Sequence, residues 1–261
     1  MQVDIFLKKK LHNLSFILLL GTAVLGAIIL TEYDVAKGFS SVPAAIQWAL
    51  SNFYPDSESM EKFPDIFEKL VETVLISVAA TTSGAALALL FAIAGSSTTQ
   101  FNRFLGQVSR TIATVFRNID MAVWSMILLF SFGQSAFTGY FALFFGSFGF
   151  LTRAFIESID EVGDSSVEAL RATGAGYFSI IFQSVIPSSI SQMISWILFM
   201  IETNIRSATL IGILTGTGIG FAFSMYYKSL DYNAASLVVL VIVAAIFIIE
   251  WVSNYVRRVI L

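Results

Sequence analysis

Side chains that can recognise an anion lie close together in one long apolar stretch of the 261-residue sequence. Glu202, Asn204, Arg206 and Ser207 fall within two turns of an expected helix. A guanidinium offers a planar pair of N–H donors to an oxyanion, and a carboxylate four residues earlier lies on the same helix face. Two interpretations stay open. Either Glu202 neutralises Arg206 within the helix, or Arg206 faces a transport pathway and binds an oxyanion while Glu202 or Asn204 orients it.

A second polar group, formed by Arg117, Asn118 and Asp120, has the same two interpretations. Arg117 and Asp120 are three residues apart, so they can pair on one helix face or line a pathway. Asn118 can donate to an anion or form a hydrogen bond between helices. Near the end of the chain, we expect Glu250 to pair with the Arg257 and Arg258 region.

The composition argues against covalent catalysis and against metal binding. The chain has no cysteine and a single histidine, His12, which excludes thiolate chemistry and argues against an imidazole-based site. The net charge of −3 and the absence of a basic stripe argue against nucleic acid as a partner. We therefore expect no enzyme, no catalytic residue, no metal and no cofactor.

The composition is that of an integral membrane protein. Hydrophobic residues make up 56% of the chain and charged residues only 13%, which leaves too little polar surface for a water-soluble globule. Crossing a bilayer takes roughly 20 apolar residues in a helix. The apolar stretches predict an all-α polytopic fold with about six transmembrane helices, near residues 14–31, 67–95, 108–131, 136–156, 188–213 and 234–256.

Positive charges predict the orientation of these helices. Lys8 to Lys10, Arg103, Arg153, Arg171 and Arg257 fall on one side of a six-helix arrangement, so both termini are expected to be cytoplasmic. The first apolar segment is long for a signal peptide and is expected to be a retained helix. We predict an N-terminal unit over residues 1–66, with an interfacial helix over 42–50 in its outer segment, and a core over 67–261.

A long loop over residues 157–187, between the fourth and fifth predicted helices, contains a spaced motif. Glu168 and Ala169 are followed by Gly174 and then by Pro187. This pattern resembles the EAA loop of ABC importer permeases, with Leu170 in place of the second alanine and Ser184 and Ile186 at its two apolar positions. The resemblance implies that Glu168, Ala169, Gly174 and Pro187 form a coupling helix on which an ATPase acts.

A narrower resemblance covers residues 67–256. The fifth helix reads Glu202-Thr-Asn204-Ile-Arg206-Ser207-Ala-Thr and ends in a glycine-rich segment, which resembles phosphonate-type permeases of the binding-protein-dependent inner-membrane family. Arg117, Asn118 and Ile119 also agree with that family, whereas Asp120 stands where it commonly has proline. The glycines at positions 212–220 lack the ending of a phosphate-binding loop. Gly212 and Gly216, four residues apart, are expected to permit close helix contact, and Gly218 and Gly220 are expected to form the outer turn after helix five.

The resemblance implies a type I ABC importer permease of a bacterial plasma membrane that carries phosphonates or related phosphorus oxyanions inward. It also implies the partners of the chain: two ATPase subunits, a second permease copy in a homodimer, an extracytoplasmic binding protein and the lipid bilayer. Two alternatives stay open: a permease for another solute, such as a sulfonate or an amino acid, and an ion-coupled secondary transporter. A membrane-embedded enzyme is not favoured, because the sequence offers almost no candidate set of catalytic residues.

Overall fold

A computed structural model describes residues 2–162 and 164–260, and every regular element in that part of the chain is helical. The α-helices are α1 Gln2–Leu30, α2 Val35–Asn52, α3 Ser57–Glu61, α4 Phe63–Gly95, α5 Arg103–Asn118, α6 Met121–Phe132, α7 Ala136–Val162, α8 Asp164–Ala172, α9 Tyr177–Ile180, α10 Ile186–Thr215, α11 Gly218–Lys228 and α12 Tyr232–Ile260, with a π-helical segment over Ile181–Val185.

Within the described residues, five helices are long and apolar enough to cross a membrane, and the count rises to six when the bent pair α5–α6 is taken as one span. The predicted all-α polytopic fold is therefore confirmed. The chain divides into two compact units, one ending at Phe53 and one beginning at Tyr54. The first holds α1 and α2, and α2 begins where the Asp34 carboxylate accepts a hydrogen bond from the Lys37 amide.

The predicted single helix over residues 108–131 is wrong. It is two helices, α5 and α6, that meet at an angle of 89°. Ile119 and Asp120 both have extended backbone, and the Asp120 carboxylate accepts a hydrogen bond from the amide of Ala122 and so caps α6. A capping aspartate satisfies an amide that would otherwise lack a partner, which favours a new helix start at this position.

The centre of the second unit is the packing of α4 on α7. α4 presents small side chains to it, with Ala80, Gly84 and Ala88 fully or largely buried. A Cβ at Gly84 would lie 3.2 Å from Ser147 Cβ and 3.3 Å from the Phe144 carbonyl oxygen of α7. Small residues let two helix backbones approach closely, which strengthens van der Waals packing where lipid provides no hydrophobic drive.

α10 and α11 meet at a glycine joint where a plain outer turn was expected. Gly216 and Gly218 have φ values of 71° and 63°, which L side chains rarely adopt. After this joint, α11 forms a further helix, and the Thr73 hydroxyl of α4 accepts a hydrogen bond of 2.8 Å from the Ile219 amide. The prediction of an outer turn at Gly218 and Gly220 is therefore wrong, because both residues belong to α11. The close helix contact predicted at Gly212 is confirmed, since a Cβ there would lie 3.3 Å from Gly220 Cα.

Polar contacts tie α3 and α4 to the start of α12, at what we name the Lys62 end of the bundle. Lys62 Nζ lies 2.6 Å from the Asp231 carboxylate, and Asn233 donates to Asp56 at 2.8 Å. Burial works to raise the pKa of Asp231, but the hydrogen bonds from Lys62 and the Ala234 amide outweigh it and leave that pKa below its ordinary value. The same bond raises the pKa of Lys62.

The glycine joint generates a stability prediction. A Cβ at Gly220 would collide with the backbone carbonyl of Thr209, so Gly220→Ala must push α11 away from α10. Overpacking of this kind costs about 1–3 kcal/mol, so we expect a lower midpoint of thermal unfolding in detergent. The control is Gly21→Ala, because nothing lies within 4 Å of that Cβ. Equal midpoints for the two variants would contradict a tight joint.

Candidate functional site

The helix α8 carries the EAA-like motif at the end of the bundle opposite Lys62, which we name the α8 end. Val167 is buried in the main core cluster and Leu170 packs against that cluster, whereas Glu168 and Ala169 are exposed. Gly174 has a φ of 81°, and the amides of Gly174 and Ala175 bond back to the Arg171 and Leu170 carbonyls. α8 is therefore a short amphipathic helix, held by its apolar side and ended by a left-handed glycine.

Pro187 is the second residue of α10, in the first turn as expected, but helical backbone already precedes it. The chain is helical from Tyr177 onward, and the π-helical segment Ile181–Val185 joins α9 to α10 just before the proline. The Ile186 amide bonds to the Ile181 carbonyl, five residues back. Because proline clashes with the carbonyl four residues before it, a wider turn at this point lets the helix continue.

Three elements at the α8 end hold the connection between α4 and α5. The Asp160 carboxylate of α7 accepts hydrogen bonds from Ser96 Oγ at 2.5 Å and from the Thr98 amide at 3.3 Å. Arg171 of α8 donates to the Thr98 carbonyl at 3.1 Å, and the Tyr177 hydroxyl donates to the Thr99 carbonyl at 2.8 Å. The Arg171 bond joins α8 directly to the α4–α5 connection, and the Asp160 and Tyr177 bonds join α7 and α9 to it. Sequence reasoning missed Asp160, Arg171 and Tyr177, because these bonds join residues more than 60 positions apart.

Glu202 and Arg206 form an ion pair along α10, with 2.9 Å between Arg206 Nη2 and Glu202 Oε1. The Glu202 side chain is 11% exposed and that of Arg206 is 44% exposed. A second guanidinium reaches the same carboxylate from α12, since Arg257 Nη2 lies 3.6 Å from Glu202 Oε2. The expected pairing of Glu250 with Arg257 is therefore wrong, because the bend of the chain brings α12 back beside α10.

The structure does not bring Asn204 together with Arg206. Residues two apart on a helix point to different sides, and the Asn204 amide is buried, where it donates to Thr81 Oγ1 at 2.7 Å and Ser147 Oγ at 2.6 Å. It joins α10 to α4 and α7. Ser207 follows Arg206 and is partly exposed.

Arg117 and Asn118 are exposed at the last turn of α5, and neither has a hydrogen bond or ion pair in the described part of the chain. Asp120 is used as the cap of α6, so the expected pair of Arg117 with Asp120 does not form. The turn instead packs on α7, where a Cβ at Gly149 would meet the backbone of Phe116 and Arg117. Among the described residues, no group of three or more His, Asp or Glu side chains is arranged to hold a metal ion.

The fold and these features define a class of protein: a polytopic helical bundle with an exposed amphipathic loop helix at one end and an ion cluster on its fifth span. Residues 84–260 match the family described as binding-protein-dependent transport system inner membrane component. The chain belongs to this family and is a multi-pass protein of the inner membrane. The family implies an ATPase and a substrate-binding protein as partners.

Named relatives narrow the comparison. The chain is 27% identical over 193 residues to the phosphate-import permease protein PhnE of Mycolicibacterium smegmatis, which covers 74% of this chain and 36% of that protein. It is 26% identical over 189 residues to the phosphite transport system permease protein PtxC of Stutzerimonas stutzeri, covering 72% and 69%. The chain thus spans about a third of the first of these two proteins.

A solved structure shows the same fold. The crystal structure of an amino acid ABC transporter with histidines superposes with a TM-score of 0.63 at 17% identity, over 78% of this chain and 98% of that one. The type I importer permease fold expected from the EAA-like motif is confirmed.

The placement of Asn204 generates a second prediction. Asn204→Leu removes two hydrogen bonds between helices, which contribute about 0.6 kcal/mol each in membrane proteins, so the free energy of unfolding should fall by about 1 kcal/mol. Denaturation in detergent measures it. The matched control is Asn118→Leu, at an exposed position, which should leave stability unchanged. A loss equal to that of the control would contradict the proposed link between α10, α4 and α7.

Proposed function

We propose that this chain carries phosphonates or related phosphorus oxyanions into the cytoplasm as one permease of an ATP-driven importer. The observation that supports it is the half-exposed Arg206 guanidinium on α10, which is held by Glu202 yet still presents free N–H donors. Phosphorus oxyanions match the planar fork of a guanidinium. Both relatives named above are described as transporting a phosphorus oxyanion, phosphate or phosphite.

The proposal includes an assembly. Two copies of the chain would enclose the pathway, two ATPase subunits would dock on Glu168 and Ala169 of the two α8 helices, and an extracytoplasmic binding protein would deliver the anion. Gly174 and Pro187 set the ends of the coupling segment, and both termini lie in the cytoplasm. Residues 1–66 are proposed as an added helix and outer segment and residues 67–261 as the permease core, with a coupling loop over 157–187, although the compact second unit already begins at Tyr54 and α7 extends to Val162. Arg117, Asn118 and Ser207 are further candidates for the pathway, on the same sequence pattern that marked Arg206 and Glu202.

In this mechanism the chain performs no covalent chemistry. ATP-driven closure of the ATPases displaces α8, and the bonds of Asp160, Arg171 and Tyr177 carry the displacement to the α4–α5 connection. Because packed helices shift as rigid units, the pathway opens to the other side of the membrane.

Uptake tests the substrate class. Cells that hold this chain with its own ATPase and binding protein should accumulate a labelled aminoalkylphosphonate, phosphate and phosphite should compete, and a sulfonate should compete weakly. Cells without the chain should lose uptake. Two results together would contradict the substrate assignment: uptake that is equal with and without the chain, and binding of the ATPase to the chain when both are present. The importer class would then stand, and the assignment to phosphorus oxyanions would be wrong.

Coupling has its own test. Asp160→Ala removes the acceptor for Ser96 and Thr98, and a hydrogen bond to a charged group contributes about 1.5–3 kcal/mol, so we expect about a tenfold loss of substrate moved per ATP hydrolysed. ATPase activity itself should remain. The matched control is Glu157→Ala, an exposed residue one turn earlier whose one ion pair among the described residues is with Arg153 on the same helix. An unchanged ratio for Asp160→Ala would show that the connection transmits nothing.

A further inference from the structure

Two guanidiniums share one carboxylate between α10 and α12. Arg206 lies 2.9 Å from one oxygen of Glu202, and Arg257 lies 3.6 Å from the other. The first distance is that of a charge-assisted hydrogen bond, whereas the second is too long for one. Arg257 Nη2 is also buried without a hydrogen-bond partner in the structure. Arg257 is therefore held near Glu202 but not yet bonded to it.

Glu202 and Arg206 lie near mid-height in the bundle, and Arg257 reaches Glu202 from the last turn of α12. Asn204, two residues from Glu202, bonds Thr81 near the middle of α4 and Ser147 near the middle of α7. Two guanidiniums against one carboxylate leave one positive charge in this apolar region. An uncompensated arginine within a membrane is unfavourable, so the cluster favours a further anion.

An open cleft leads along this face of α10. It has a volume of about 270 Å³ and is lined by Gln192, Ser195, Trp196, Phe199 and Arg257. At its α8 end, the Glu161 carboxylate accepts a hydrogen bond from Gln192 at 3.1 Å. Arg257 thus borders both the cleft and the Glu202 carboxylate.

We propose that the Glu202 carboxylate has two positions, one bonded to Arg206 and one bonded to Arg257. When a transported oxyanion binds Arg206, the carboxylate moves to Arg257, which is therefore a positioning residue. This inference rests on the proposed function, in which Arg206 contacts the anion. An oxyanion beside Arg206 repels Glu202, because the two negative charges share one donor. Glu202 then has only to shorten its distance to Arg257 by less than 1 Å to gain a full hydrogen bond there. The charge of the cluster becomes balanced as the anion enters.

The consequence is a specific charge dependence. Without Arg257, Glu202 has Arg206 as its single partner and competes with the anion for it. Removing the negative charge of Glu202 ends that competition, so a second substitution should restore what the first one removes. A purely structural contact between α10 and α12 has no such rescue.

The experiment measures uptake of labelled aminoalkylphosphonate at saturating concentration by the complete transporter, normalised to the amount of assembled complex. Arg257→Gln should lower uptake about tenfold, a factor that corresponds to about 1.4 kcal/mol. Glu202→Gln combined with Arg257→Gln should return it to within about twofold of the parent. Arg257→Lys keeps the charge and should retain most uptake. The matched control is Arg258→Gln, the exposed neighbour with no ion pair in the described part of the chain.

Several results would overturn the inference. Full uptake by Arg257→Gln would do so, as would a defect that Glu202→Gln does not rescue, which would assign Arg257 a structural role. If Arg257→Gln fails to assemble, Glu202→Gln alone decides, because the switch requires it to transport. Arg206→Gln distinguishes a failure of the proposed anion contact from a failure of the Glu202 switch alone. If it transports normally, the proposed anion contact fails together with the switch, whereas a defect in Arg206→Gln with normal Arg257→Gln removes the switch alone.

Discussion

Hydrocarbon offers no hydrogen bonds, and this constraint explains how many of the buried hydroxyl and amide groups in the bundle are placed. The buried hydroxyls of Thr81, Ser147 and Thr152 all bond to a carbonyl one turn earlier in their own helix. Asn204 has no such local solution, so its amide joins three helices. Glu202 and Arg206 satisfy each other as an ion pair, and Arg257 lies 3.6 Å from the same carboxylate. The amide and charged side chains named here thus lie where helices meet or where a pathway can form.

The same constraint explains where the backbone departs from a regular helix. The α5–α6 bend, the π-helical segment before Pro187 and the α10–α11 joint each leave amides without their usual partners. Asp120 caps the first of these, the Ile181 carbonyl accepts from Ile186 at the second, and the Thr73 hydroxyl accepts from Ile219 at the third. At each break a neighbouring side chain or carbonyl thus accepts a hydrogen bond from an amide at the break.

In the proposed mechanism, force applied at α8 and an anion bound at Arg206 act on the same set of packed helices. α8 is anchored by Val167 and Leu170 in the core cluster that also holds Phe148 and Phe155 of α7. α7 packs on α4, and both bond Asn204 of α10, two residues from Glu202 and Arg206. A small displacement of the loop helix therefore has a continuous packed route to the ion cluster, which is what transport driven from one end of the bundle requires.

The sequence alone determined the membrane class, the helical fold and the identity of the loop helix, because apolar length and the Glu168 to Pro187 spacing are local properties of the chain. A local signal for the α5–α6 break also existed, since Asp120 is a good helix cap. The position of Arg257 had no local signal. Its nearest acidic neighbour in sequence is Glu250, and only the packing of α12 beside α10 brings it to Glu202, 55 positions earlier. Asn204 likewise looked like a pathway residue until the tertiary structure placed it between Thr81 and Ser147. Spacing along one helix sets which side chains share a face, whereas partners on other helices depend on how the helices pack.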